Sequence, residues 1–215
     1  MPTTVTWRID HTKILTRGEL AAVLAILGRK AQRSQSTRMN LIIVRLACCC
    51  GLRVSEIAQL RLGNLRLDCA KPYVEIPSHV AKGGRARRVP LWWDGGTLAD
   101  LAAWNATRRE QGAQDADLVV CCRSARKRGS RLSRQTLRRR FLTACKCLGT
   151  ERVSDLTIHH GRHTFISHAL AGGRTLAEVR DAVGHSNVSI TSCYLHIAVD
   201  DDGIPGNLFD FDARG

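Results

Sequence analysis

Three stretches of this sequence concentrate basic and polar side chains beyond what packing requires. Gly51-Leu52-Arg53-Val54-Ser55-Glu56-Ile57 places an acid three residues after an arginine, and Ala81-Lys82-Gly83-Gly84-Arg85 puts a lysine in a glycine-rich turn. His159-His160-Gly161-Arg162-His163 is followed by Gly184-His185-Ser186 and Tyr194-Leu195-His196. Taken singly, Arg53 and Glu56 read as a surface pair and Lys82 as an ordinary turn lysine. Taken together, the stretches offer guanidinium, ammonium, imidazole and phenol groups without a pair of carboxylates. Two guanidiniums can grip the non-bridging oxygens of a phosphodiester and stabilise the charge that grows in a pentavalent transition state, in place of a metal ion. A tyrosine, with a free pKa of ~10, can attack phosphorus once a histidine takes its proton, and a lysine can protonate the leaving 5′-oxygen. The product is a phosphotyrosyl ester, formed by exchange of one phosphoester for another without ATP. The histidines do not form H-E-x-x-H, so no metal and no cofactor are expected.

These groups must be positioned by a fold, and the apolar spacing indicates which. Thr16, Glu19, Leu20, Val23, Leu24 and Leu27 predict a capped helix from Thr16 to about Lys30. Further helices are expected over residues 37–50, from Val54 to before Gly63, over 97–109, from Ser133 onward, over 157–170, from Thr175 to Gly184, and over 188–199. Tyr73 to Val80 and Arg87 to Leu91 carry β-branched residues and predict a hairpin with Lys82 near its tip. Leu118 to Cys122 reads equally as a buried strand or a helical turn. The expected fold class is α+β, mainly α-helical with a small antiparallel β-sheet.

Lys and Arg number 33 against 19 Asp and Glu, a formal net charge of +14, which favours a polyanion as partner. With 44 % hydrophobic residues the chain is globular rather than a disordered basic tail, and with 5 % aromatics it lacks the stacking platforms of many RNA-binding modules. Residues 123–140 hold nine Arg or Lys and no acid. Arg123, Arg126, Lys127, Arg128, Arg131, Arg134 and Arg138 are therefore expected to contact DNA, together with Arg85 and Arg87 in the hairpin. No apolar run approaches the ~18 residues of a membrane span and no signal peptide is legible, so a cytoplasmic protein without a membrane partner is expected. Nine cysteines, with no C-x-x-C, read as small buried hydrophobes in a reducing compartment.

The ordered set resembles the catalytic domain of the tyrosine recombinases, the phage-integrase family, from about Ile14 to about Val199. The family's first arginine block is similar to Gly51 through Leu60, its hairpin lysine falls on Lys82, and its H-x-x-R-H falls on His159, Arg162 and His163. Its G-H-S matches Gly184-His185-Ser186, and Tyr194 stands nine residues beyond that histidine. The resemblance implies that Arg53 and Arg162 clamp the scissile phosphate, Lys82 acts as general acid, and His159 and His185 assist proton transfer. It implies Tyr194 as nucleophile and Glu56 as support for the arginine clamp, with His163 read as a structural histidine. Spacing favours His159 over the adjacent His160. It also implies double-stranded DNA as partner, a homotetramer on paired sites, and accessory DNA-bending or directionality proteins. A non-cleaving DNA-binding regulator of the same fold and a type IB topoisomerase-like enzyme are the rival readings.

Two departures carry expectations of their own. Gly161 stands where the family usually has an apolar residue, which predicts a helix weakened by ~1 kcal/mol and a looser hold on Arg162. Residues 1–13 form only a short leader where most members carry a separate N-terminal helical domain. This fits either a minimal recombinase of the fimbrial-inversion kind or a piece of a longer protein. The tail, 200–215, has five Asp with Leu208, Phe209 and Phe211 among them, and is expected to dock on a neighbouring protomer.

Overall fold

A computed structural model describes residues 10–195; the acidic tail and its three apolar anchors lie outside the described residues. The N-terminal helix α1 (Arg17–Ala31) opens on the anticipated capping box, in which the Thr16 hydroxyl accepts from Glu19 N and the Glu19 carboxylate accepts from Thr16 N. It packs on α2 (Gln35–Val44), capped by Ser34, which runs without a break into a wider π-helical turn, Arg45–Cys49. The single helix expected over 37–50 is therefore two geometries in one apolar run, all of it buried from Met39 to Cys50.

The short α3 (Val54–Ile57) leads to a three-stranded antiparallel sheet, β1 (Leu65–Arg66), β2 (Tyr73–Ile76) and β3 (Arg87–Pro90), in that spatial order. The hairpin has Val74 opposite Val89, on its buried face. β1 carried no period in the sequence because two residues are too few to show one. Helix α4 (Gly95–Glu110) starts behind Asp94, whose carboxylate accepts from Gly96 N. The ambiguous run 118–122 is neither strand nor helix: Leu118 bridges Arg61 and Cys121 bridges Arg131 on either side of a bend at the buried Val119 and Val120, and the Trp104 indole donates to Val119 O at 2.8 Å. Helices α5 (Arg134–Ala144), α6 (Thr150–Asp155), α7 (Ile158–Ala171), α8 (Leu176–Val183) and α9 (Val188–Ser192) complete the order. α6 has no counterpart among the expected helices; α9 ends at Ser192, and residues 196–199 of the helix expected over 188–199 lie outside the described residues. The mainly helical α+β class stands as read. No described helix is long and apolar enough to cross a membrane.

Helix α7 is the element that everything else positions. Phe165, Ile166 and Ala169 are fully buried, and Trp93 stacks on Phe165 with ring centroids 6.1 Å apart. The chain before α1 is tied to α7: Leu15 N donates to Thr164 Oγ1 at 2.9 Å, and His168 Nε2 donates to Leu15 O at 2.7 Å. Arg152 on α6 adds bonds to Glu19 at 2.7 and 3.1 Å and to Ile14 O at 2.7 Å.

Gly161 plays the opposite part from the one its helix propensity predicted. A Cβ there would fall 2.9 Å from Ala47 Cβ and 3.0 Å from Cys48 Sγ, so the glycine lets α7 lie directly on the π-helical turn. The larger residue expected by resemblance has no room, and Arg162 gains a close-packed base. The cysteines are also more varied than read: Cys48, Cys49, Cys50, Cys121 and Cys145 are buried, whereas Cys69 and Cys147 are exposed. Gly161→Ala is expected to lower stability by ~1–3 kcal/mol in urea denaturation despite its better helix propensity, because overpacking against Ala47 outweighs it.

Candidate active site

The first arginine block serves both arginines. Arg53 stands before α3 in extended backbone, and its N–H donates to Glu56 Oε2 at 2.8 Å while Nη1 donates to Oε1 at 3.1 Å. Glu56 is fully buried, so the pair read as a surface one is an interior one. Burial works to raise its carboxyl, but hydrogen bonds from Arg87 and the Arg53 backbone hold it below the ordinary value. Gly51 has φ +62° and packs on Phe165, where a Cβ would lie 2.5 Å from the ring, and its carbonyl accepts from Arg162 Nη1 at 2.7 Å.

Arg162 is buried, and its second amino group donates to Val183 O at 2.6 Å, at the end of α8. Burial and the neighbouring Arg53 and Arg87 push it down to about 9, which still leaves it charged at pH 7. Gly184 ends α8 in the left-handed conformation at φ +68° and turns the chain so that His185 follows Val183 directly into the site. His185 Nδ1 shares a hydrogen bond with the buried Thr191 hydroxyl at 3.0 Å.

Tyr194 lies in the turn after α9, 5 % exposed. Its Oη is 2.6 Å from His163 Nδ1, with the rings stacked at 5.7 Å. His163, read as structural, therefore touches the phenol itself. Burial and adjacent histidines and Arg162 lower His163 to about 4, whereas burial raises Tyr194 to about 12. At pH 7 the phenol keeps its proton and the neutral imidazole can accept it. His159 is lowered by burial and by Arg138, Arg162 and Arg53. His160 instead accepts from Thr157 N at 3.3 Å and serves as a helix cap.

These groups line one open cleft of about 730 Å³: Arg53, Lys82, His159, Arg162, His163, His185 and Tyr194, with Arg134 and Arg138 from the start of α5 at its edge. Lys82 reaches it from the exposed connection between β2 and β3. Ser55 and Gln59 also line it, and nothing in their types singled them out. The remaining basic residues are distributed elsewhere. Arg85 borders an adjoining cavity shared with Lys82, while Arg123 and Arg128 line one beside α4. Arg131 lines another with His79, and Arg126 and Lys127 are exposed in a short 3-10 turn. Arg87 is the correction. Expected on DNA, its guanidinium is directed inward to Glu56 and Ala182 O. The strand parity explains this, since Arg87 shares a face with the buried Val89.

Such a cleft can bind one phosphodiester between two arginines, with a phenol, its proton acceptor and an exposed ammonium around it. The sequence profile of the phage integrase family matches residues 13–200. The chain belongs to that family. Among curated proteins it is 30 % identical over 183 residues to the tyrosine recombinase XerC of Corynebacterium efficiens, covering 84 % of this chain and 54 % of that protein. It is 32 % identical over 162 residues to XerC of Pseudomonas putida, covering 74 % and 48 %. The chain thus spans about half the length of these curated relatives. Among solved structures, XerA recombinase superposes with a TM-score of 0.66 at 20 % identity, over 91 % of this chain and 61 % of that one. XerH recombinase bound to a palindromic difH substrate, a post-cleavage complex, gives 0.67 at 22 %, over 88 % and 51 %. At these identities the likeness is one of fold, and the fold is that of the tyrosine recombinase catalytic domain.

The histidines carry a pH consequence. Burial, then nearby cations, hold His163 and His185 each at about 4 from an ordinary 6.5. Between those values the unfolded chain binds more protons than the folded one, so stability falls as pH is lowered through that window. The thermal midpoint is expected to drop from pH 6.5 to 5, and the drop to shrink in a His163→Asn/His185→Asn variant, as thermal melts would register.

Proposed function

We propose that residues 14–199 form the catalytic domain of a site-specific DNA recombinase that cuts one strand with Tyr194 and rejoins it to a partner strand. The observation that carries the reading is the contact of Tyr194 Oη with His163 Nδ1 at 2.6 Å, in a cleft that also holds Arg53, Arg162, His159, His185 and Lys82. The scissile phosphate sits between Arg53 and Arg162. The Tyr194 proton passes to His163, the Oη–P bond forms, and the P–O5′ bond breaks as Lys82 delivers a proton to the leaving oxygen. His159 and His185 hold the non-bridging oxygens as charge accumulates. A 5′-hydroxyl from the partner strand then reverses these steps and frees the tyrosine. Flanking phosphates lie on Arg134 and Arg138, and the duplex beyond on Arg85, Arg123, Arg126, Lys127, Arg128 and Arg131. By resemblance, the exchange takes four protomers on paired double-stranded DNA sites, in the cytoplasm, with accessory DNA-bending or directionality proteins and no added cofactor or metal.

The test is a pool of randomised nicked duplexes from which denaturant-resistant protein–DNA adducts are isolated and sequenced. The protein should yield an adduct, Tyr194→Phe none, and Arg162→Ala a cleavage rate lower by on the order of 10² or more, with duplex binding retained. An adduct persisting in Tyr194→Phe would overturn the nucleophile. Tight, sequence-selective binding with no adduct would replace the reading with a DNA-binding regulator, and relaxation of supercoiled plasmid without strand exchange would replace it with a topoisomerase.

A further inference from the structure

One buried carboxylate stands between two arginines, of which Arg53 lines the cleft. Glu56 Oε1 accepts from Arg53 Nη1 at 3.1 Å and from Arg87 Nη1 at 2.9 Å, and Oε2 accepts from Arg53 N at 2.8 Å and Arg87 Nη2 at 2.7 Å. The Arg87 side chain is 6 % exposed, that of Glu56 0 % and that of Arg53 20 %. Arg87 and Glu56 are thus interior, while Arg53 keeps an open edge on the cleft. Two positive charges and one negative leave the trio with a single net positive charge. Were Arg87 neutral, Glu56 would cancel Arg53, and the cleft would lose one of the two arginine charges proposed to grip an incoming phosphate.

The same guanidinium ties three elements together. Its Nε donates to Ala182 O at 2.9 Å, one residue before the Val183 carbonyl that holds Arg162. It stands on β3, directly after the connection that carries Lys82. A Cβ on Gly184 would fall 2.8 Å from Arg87 Cδ, so the glycine before His185 also makes room for this side chain.

We propose that Arg87 is a positioning residue for the phosphate clamp: by engaging both oxygens of Glu56 it lets the carboxylate anchor Arg53 while leaving Arg53 cationic toward a phosphodiester. This rests on the cleft being a phosphodiester site, as proposed above. It does not assign Arg87 to the DNA. Its N–H groups are turned to protein acceptors, and lysine, which cannot span two carboxylate oxygens, would not replace it.

The experiment compares Arg87→Gln, Arg87→Lys, Glu56→Gln and the double variant Arg87→Gln/Glu56→Gln. Inorganic phosphate is titrated against the arginine Nε–H signals of the DNA-free protein by NMR, adduct formation is followed in single turnover on a duplex from the selected pool, and thermal midpoints are recorded. Arg87→Gln should weaken phosphate binding at Arg53 about tenfold and slow adduct formation by on the order of 10², while the salt dependence of duplex binding stays as in the parent. Arg87→Lys should remain impaired. The double variant should regain at least about a tenfold part of the lost cleavage rate, because removing the carboxylate's charge restores the net positive charge on Arg53. A scaffold-only role predicts the reverse, a double variant slower than the single one with a lower midpoint, and that result would overturn the proposal. So would unchanged phosphate binding in Arg87→Gln, or a loss confined to duplex affinity with a shallower salt slope, which would return Arg87 to the DNA. Phosphate binding that follows this pattern in a protein that never forms an adduct would support the positioning role and reject the recombinase reading instead.

Discussion

Arg162 is a buried guanidinium held by backbone carbonyls rather than by a carboxylate of its own, through Gly51 O and Val183 O at 2.7 and 2.6 Å. A charge removed from water in this way is costly unless something compensates it, and carbonyl dipoles do so without neutralising it. Each bond also fixes a separate stretch of chain. Gly51 leads into Arg53, and Val183 leads through Gly184 into His185. Arg53, Arg162 and His185 therefore share a common anchor on α7, and α7 itself is set by the close contact of Gly161 with Ala47 and Cys48.

The protonation pattern follows from that anchor. Burial and the arginines keep His163 and His185 neutral at pH 7, and burial keeps the Tyr194 phenol protonated. Positive charge in the cleft is thus carried by arginine and lysine side chains rather than by these two imidazoles, which are free to accept protons. Glu56 is the carboxylate paired with Arg53, and it is matched by Arg87. A site made this way favours an anion with two exposed oxygens and has the proton donors and acceptors for exchange at phosphorus.

Much of the candidate site is legible in the sequence, because type and spacing alone select the chemistry. Arg53, Lys82, His159, Arg162, His185 and Tyr194 are brought to one cleft, and the capping boxes at Thr16 and Thr175 are formed as their sequences require. What was misread shares one cause. Propensity and charge describe a residue by its local environment, and Gly161, Arg87 and His163 are each decided by a partner far along the chain. Gly161 meets Ala47, Arg87 meets Glu56 and Ala182, and His163 meets Tyr194. The parity of Arg87 with Val89 was the one local signal that could have placed it inside.

The sequence by itself determined most of the helical order, the hairpin, the excess of positive charge and the set of candidate reacting groups, since these follow from side-chain chemistry and from periods of 3.6 and 2. Only the tertiary structure decided which basic residues face the cleft and which hold the others, which histidine meets the tyrosine, and why a glycine stands before Arg162. Those outcomes depend on how closely two backbones approach and on which buried polar atom finds which partner, and neither is encoded within a window of neighbouring residues.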